Sequence, residues 1–195
     1  MSGGTPTTYT LYPVTDGHLS SASTSYATAS SGSGLTLSTG FLVVGQNRAG
    51  SNRTCYESFL AFDTSGVVGT IQSATLSIYG SSDLSDTAFT IEARLHDWGA
   101  TLETADWVAG TSLSSKTLLA TFATTGFSTS SYSALVSESA FAANINQSGT
   151  TRLLLCSSRL TTGVDPVGAE FIFARSSSFT GTANDPKLVI EALVP

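Results

Sequence analysis

The sequence predicts an all-β protein, an antiparallel β-sandwich of jelly-roll type with about ten strands and one or two short helical turns. Three observations carry that expectation. The stretch SFLAFDTSGVVGTIQSATLSIYG (Ser58–Gly80) reads as two strands joined by a Gly-rich connection. In its second half Ala74, Leu76 and Ile78 alternate with Ser73, Thr75 and Ser77, and successive strand side chains point to opposite faces, so one face is apolar and the other hydroxylated. Short apolar runs recur along the chain with polar turn chemistry between them. No amphipathic helix separates successive runs, which disfavours a parallel α/β fold.

Taken in order, the strand-like runs are Tyr9–Val14, Leu35–Leu37, Phe41–Gly45, Thr54–Asp63, Ile71–Tyr79, Phe89–Asp97, Thr117–Phe122, Arg152–Ser157, Glu170–Arg175 and Lys187–Leu193. The connections SSGSG (Ser30–Gly34), NRAGSN (Asn47–Asn52), SSDLSD (Ser81–Asp86) and SSSFTGTAND (Ser176–Asp185) carry the Gly, Asn, Asp and Ser that turns require. A helical turn is expected within Ser137–Ile145, capped by Ser137, with Ala140, Phe141 and Ile145 on one side. Thr101–Val108 offers a second. The expected core is Leu60, Phe62, Ala74, Leu76, Ile78, Phe89, Ile91, Leu95, Leu153, Leu155, Phe171, Phe173, Leu188 and Ile190. Residues 1–195 read as one domain without internal repeats. The first thirty or so residues are poorer in apolar groups, and Met1–Val14 is a candidate arm lying over the sandwich.

Composition narrows the function classes. Charged residues make up 11% of the chain, against about a quarter in ordinary soluble domains. Ser and Thr, roughly a third of the sequence, replace charge as the source of polarity. Such a surface loses little side-chain entropy when it packs against a partner, and it is equally common in extracellular β proteins. The net charge is −6, and the eight Lys and Arg residues are scattered singly. Nucleic-acid binding needs clustered cations that displace counterions from phosphates, so neither nucleic acid nor anionic lipid is an expected partner. The segment MSGGTPTTYTLYPV carries no basic and apolar leader pattern, and no run approaches a membrane helix in length. That start suits a cytosolic product, or a domain excised from a longer secreted protein. Cys55 and Cys156 sit inside apolar runs, where they read as buried free thiols or as one inter-strand disulfide.

The search for chemistry returns little. Asp16-Gly17-His18 reads as a turn, and His96 and Asp97 read as adjacent strand residues pointing to opposite faces, a poor start for a nucleophilic triad. No G-x-S-x-G, HExxH or CxxC pattern occurs. Asp83 with Asp86, or Asp165 and Asp185, are candidate ligands for a structural calcium, and also ordinary turn aspartates. No other cofactor is expected. The acidic residues are spread along the chain without the paired spacing that would mark a glycosidase. Trp98, Trp107 and Tyr132 are candidate sugar-stacking faces, whereas a Trp at a strand end also commonly plugs a sandwich.

The residues Phe59, Leu60, Phe62 and Asp63, followed by Ser73, Ala74, Leu76 and Tyr79, resemble the signature of DNRLRE-type jelly-roll modules. The closing NDPKLVIEALV (Asn184–Val194) resembles their final strand through Asp185, Pro186, Leu188 and Ile190. The Trp98 region is similar to their Trp-containing middle segment, with Asp106-Trp107 in place of the usual Thr-Trp pair. This resemblance implies one of two roles. The first is a stand-alone virion protein of a tailed bacteriophage, made in the host cytoplasm. It would be a capsid decoration (cement) protein, a head fibre or a tail protein, not an enzyme, and trimeric by analogy. Its partners would be the major capsid protein or other virion proteins. In that role Thr5–Val14, with Thr5, Tyr9, Leu11 and Tyr12, is the candidate docking or strand-exchange arm, or else an ordinary first strand. The second role is a carbohydrate-binding or adhesive module that recognises cell-surface glycan through Trp98, Trp107 or Tyr132.

Overall fold

The computed structural model describes residues 4–195, which form strands β1 (Thr5–Leu11), β2 (Pro13–Ser23), β3 (Thr36–Ser38), β4 (Leu42–Ala49), β5 (Asn52–Asp63), β6 (Thr70–Asp83), β7 (Thr90–Leu95), β8 (Leu118–Ala123), β9 (Tyr132–Ala134), β10 (Val136–Ser137), β11 (Thr150–Ser157), β12 (Ala169–Ala174) and β13 (Lys187–Val194). Every pairing between them is antiparallel, and one ladder runs β1-β13-β6-β12-β4-β5-β11-β7-β8-β10. Early strands pair with late ones in nested order, β1 with β13, β4 with β12 and β5 with β11. The chain therefore folds back on itself as a long hairpin and rolls up, which is the jelly-roll sandwich the spacing predicts.

The rolled ladder closes over a core containing Ala74, Leu76 and Ile78 from β6, Leu188 and Ile190 from β13, Leu60 and Phe62 from β5, and Leu153 and Leu155 from β11. Phe89 and Ile91 join them, and Leu95, half-buried, packs at the margin. A second apolar cluster lies on the opposite face of β5 and β11. Cys55, Phe59, Ala61, Leu154 and Cys156 are buried there under Leu19, Ala29, Trp98, Leu102, Val108, Leu113 and Leu160. The cover includes three short helices, α1 (Tyr26–Ser30), α2 (Gly110–Leu113) and α4 (Ser158–Thr161); a fourth, α3 (Ala140–Ala143), seats Phe141 in the main core. Both faces of the central strands are thus dry. That explains the unbroken LLLC run, because a strand buried on both sides needs no polar alternation.

Several expectations change. There are more than ten strands among the described residues, and the short helices outnumber the one or two expected. The Ser137–Ile145 turn forms as α3, and Thr101–Val108 contains a 3-10 turn at Thr104–Asp106. The early chain is not an arm over the sandwich. β1 pairs with β13 along its whole length, and β2 pairs with β5 from Pro13 to Ser23; Met1–Gly3 lie outside the described residues. β2 shows no apolar alternation because hydroxyls occupy it, including buried Ser21, whose Oγ donates to Ser33 O and accepts from Ser33 N. Phe171 is buried as expected and Phe173 only half-buried, and both lie outside the main cluster. Their neighbours Ile172 and Ala174 join that cluster, and the two rings instead stack in a rank with Tyr56, Phe41 and Phe179 on the other side of β12.

Where β4 leaves β5, the Ser58 hydroxyl replaces ladder bonds: it accepts from Val43 N and donates to Val43 O, each at 2.8 Å. At Gly45 the rank Tyr56–Gly45–Phe171 crosses three strands in register. The bare glycine lets the two flanking rings meet at 5.3 Å between centroids.

Cys55 and Cys156 are both free and buried in the second cluster. Burial pushes each thiol up to about 12, with the carboxylates of Glu57 beside Cys55 and Glu92 beside Cys156 adding to the effect. The thiolate is the reactive form, so both should be inert in the folded protein. A bulky aromatic disulfide reagent is expected to leave the native protein untouched and to titrate both thiols once guanidinium unfolds it. A thiol that reacts before unfolding contradicts this.

Candidate functional site

β1 reads TPTTYTL, a run of β-branched and aromatic residues that suits a strand. Tyr9 and Leu11 turn inward and pack on the main core, while Thr8 and Thr10 stay exposed. One edge of β1 is paired from Thr5↔Val194 to Leu11↔Leu188. The other meets no strand among the described residues. Such an edge presents a row of free N–H and C=O groups, and proteins usually blunt it with charge, proline, brevity or a cover. The other strands that pair on one side only, β3, β9 and β10, are two or three residues long. β1 has seven residues and no charged side chain, and Pro6 is its one blunting device. Apolar groups flank it: Tyr12 is 39% exposed and Val68 53%, and the Val68 backbone lies within reach of the Tyr9 hydroxyl. The candidate docking residues Thr5, Tyr9, Leu11 and Tyr12 therefore fall together along one open edge, as part of the sheet and not as a detached arm.

The candidate sugar-stacking residues do not come together. Trp98 is buried, 4% exposed, edge-on to Phe59 with the Arg152 guanidinium 5.6 Å above it. Trp107 is half-buried in the same cluster and donates from Nε1 to Ser30 O. Both are plugs that hold the covering loops to the sheet. Tyr132 sits on β9, paired to β6. Its ring packs edge-on against Tyr79 and under the Lys187 ammonium at 3.9 Å, and its hydroxyl donates toward Ala183 O and Asp185 O. These three aromatics offer no common stacking face.

The acids and histidines are held structurally. Asp83 accepts from Ser85 N, Asp86 from Ala169 N, and Asp165 pairs with Arg53 at 3.1 Å. Asp185 is largely buried, and desolvation raises its pKa. Among the described residues no three His, Cys, Asp or Glu side chains converge as metal ligands would. His18 Nδ1 lies 2.8 Å from Phe41 O, and His96 Nε2 lies 3.2 Å from Asp106 O. Burial holds both imidazoles below the usual histidine value. Asp97 bonds Arg152, not His96.

Three buried acids carry no motif in the sequence: Asp16 on β2, which accepts from Ser177 N and Oγ, and the glutamates Glu170 and Glu57. Glu170 accepts from Arg159 Nε at 2.6 Å, Gln46 Nε2 and Val167 N, which ties the loop after α4 to the sheet. Glu57 is fully buried and accepts from Val108 N through Oε2, while Oε1 has no partner. An isolated Glu inside an apolar strand was the available signal.

No family model matches the chain, and no curated protein matches it either.

Proposed function

We propose that the protein is a non-enzymatic structural component of a tailed-phage particle, most simply a capsid decoration protein, that docks on the major capsid protein or another virion protein through the β1 edge. The observation that carries the reading is a seven-residue, uncharged, unpaired edge in a fold whose other edges are short. An extended partner segment adds to such an edge through main-chain hydrogen bonds, and flanking apolar groups such as Tyr12 and Val68 give it purchase. Repetition by symmetry makes many modest contacts sufficient, and trimers are the arrangement the resemblance implies. The hydroxyl-rich surface supports the same reading, because Ser and Thr lose little entropy on packing. The carbohydrate-module reading through Trp98, Trp107 and Tyr132 loses support, since those rings are packed inside or against the fold.

The double variant Thr8→Lys, Thr10→Lys places charge on exposed edge positions without touching the core. Its stability is expected to stay within about 0.5 kcal/mol of the parent. Its binding to particles lacking the protein, read by cosedimentation, is expected to fall at least about tenfold, or about 1.4 kcal/mol. Parent protein that fails to cosediment rejects the virion reading; a double variant that binds like the parent rejects the edge.

A further inference from the structure

The ladder between β7 and β11 ends at Leu153↔Leu95, and a last bond from His96 N to Arg152 O, at 3.4 Å, marks where the strands part. Beyond that point a cavity of about 490 Å³ opens at the end of the sandwich. Its lining comes from four separate parts of the chain: His96 and Asp97 after β7, Lys116 before β8, Asn144 and Asn146 after α3, and Arg152 in β11. The volume lies inside the roughly 300–1,000 Å³ range of small-molecule sites.

Polar groups in this cavity are left over after internal bonding. Arg152 gives Nη1 to Asp97 at 3.2 Å, yet its Nε is buried without a partner. Lys116 Nζ makes no ion pair or hydrogen bond among the described residues. Asn144 commits Nδ2 to Ala140 O at 2.8 Å, which leaves its oxygen as an acceptor. His96 faces a carbonyl with Nε2, so that nitrogen carries the proton and Nδ1 is an acceptor. Asp97 receives Gly99 N and Arg152 through Oδ1, and its side chain is 80% exposed. The buried Arg152 Nε, without a partner among the described residues, calls for a ligand or an ordered water.

The mixture of groups selects the ligand. Two cations, Lys116 and Arg152, against one carboxylate, Asp97, favour an anion in a chain whose net charge is −6. A fully ionised inorganic anion such as sulfate would leave the acceptors of Asn144 and His96 unanswered, because it brings no donors. A neutral sugar would answer those acceptors and the Arg152 Nε proton, but it would leave the Lys116 ammonium without a counter-charge, since Asp97 is already paired with Arg152. A guest that carries both a carboxylate and hydroxyls satisfies both sets. We propose that this cavity binds a carboxylate-bearing sugar, a uronic-acid unit of an acidic polysaccharide, with Lys116 and Arg152 on the carboxylate and Asn144, His96 and Asp97 on the hydroxyls. Trp98, under the Arg152 guanidinium, stiffens that cation in place. The site needs no exposed stacking aromatic.

The test is calorimetric titration of the full chain with an oligogalacturonate and with its methyl-esterified form, which keeps the hydroxyls and loses the charge. The acid form is expected to bind at least about tenfold more tightly, and more weakly as salt rises. Lys116 is a half-exposed loop residue, so Lys116→Ala should leave the melting curve in place while lowering affinity about tenfold, and Lys116→Arg should restore most of it. Absence of binding by the oligogalacturonate overturns the proposal. So does equal binding of the methyl ester, an unaltered affinity in Lys116→Ala, or displacement by an equal concentration of inorganic sulfate, which would mark an anion site without sugar selectivity.

Discussion

A Gly45→Ala variant is expected to lose more than about 4 kcal/mol of stability, enough to leave the chain largely unfolded. Gly45 has φ 132°, a conformation that L side chains rarely adopt, and a β-carbon there would sit 2.1 Å from Glu170 O and 2.6 Å from Phe171 Cα. Neither atom can step aside. Glu170 is fully buried and bonded to Arg159, and Phe171 is locked between Tyr56 and Phe173. The substitution adds backbone strain to overpacking, and it pushes β4 away from β12 in the middle of their ladder. Gly50 is the internal control. It also has positive φ, at 62°, but a β-carbon there meets nothing, so Gly50→Ala should cost only about 1 kcal/mol. Urea unfolding of the two variants separates space from strain. A Gly45→Ala loss no larger than that of Gly50→Ala contradicts the packing described.

Glu57 should give the protein a stability that falls as pH rises, and Glu57→Gln should remove most of that fall. Burial among apolar neighbours raises its pKa well above the ordinary 4.5, against a smaller opposing effect from the Val108 N–H. Below the unfolded value both states hold the proton and nothing is lost. Above it the unfolded chain ionises while the folded chain keeps its proton, so stability drops by about 1.4 kcal/mol per pH unit until the folded pKa is reached. Desolvation raises Asp16 and Asp185 too, which tilts the curve the same way. Glutamine preserves an oxygen for Val108 N and cannot ionise. Urea midpoints between about pH 5 and about pH 7 should therefore decline steeply for the parent and more gently for Glu57→Gln. Parallel curves would mean that Glu57 is not protonated in the fold.

What the sequence discloses depends on how many faces of a strand are dry. β6 announces itself because Ala74, Leu76 and Ile78 enter the core while Ser73 and Thr75 stay outside it. β5 and β11 carry apolar side chains on both faces, so period-two parity holds no information: Phe59 and Leu60 are adjacent, both fully buried, and in different clusters. On β12 side-chain size points the wrong way: buried Phe171 and half-buried Phe173 lie on the aromatic rank, and the smaller Ile172 and Ala174 enter the main cluster. The helices α1, α2 and α4 have four or five residues, too few to display a helical period. β1 was readable as a strand, but its partner lies at the far end of the chain, and only long-range pairing shows which of its edges is free. The cavity residues His96, Lys116, Asn144 and Arg152 come from four distant stretches and share no spacing that a motif could capture.

The pairing of Thr5 with Val194 puts the start of β1 and the end of β13 side by side. A short peptide joining them closes the backbone into a ring, and a circular permutant can then be opened at the exposed Thr180–Asn184 turn without cutting any strand. The same adjacency lets the sandwich be spliced into a surface loop of another protein as a pendant unit, since both of its connections leave from one spot.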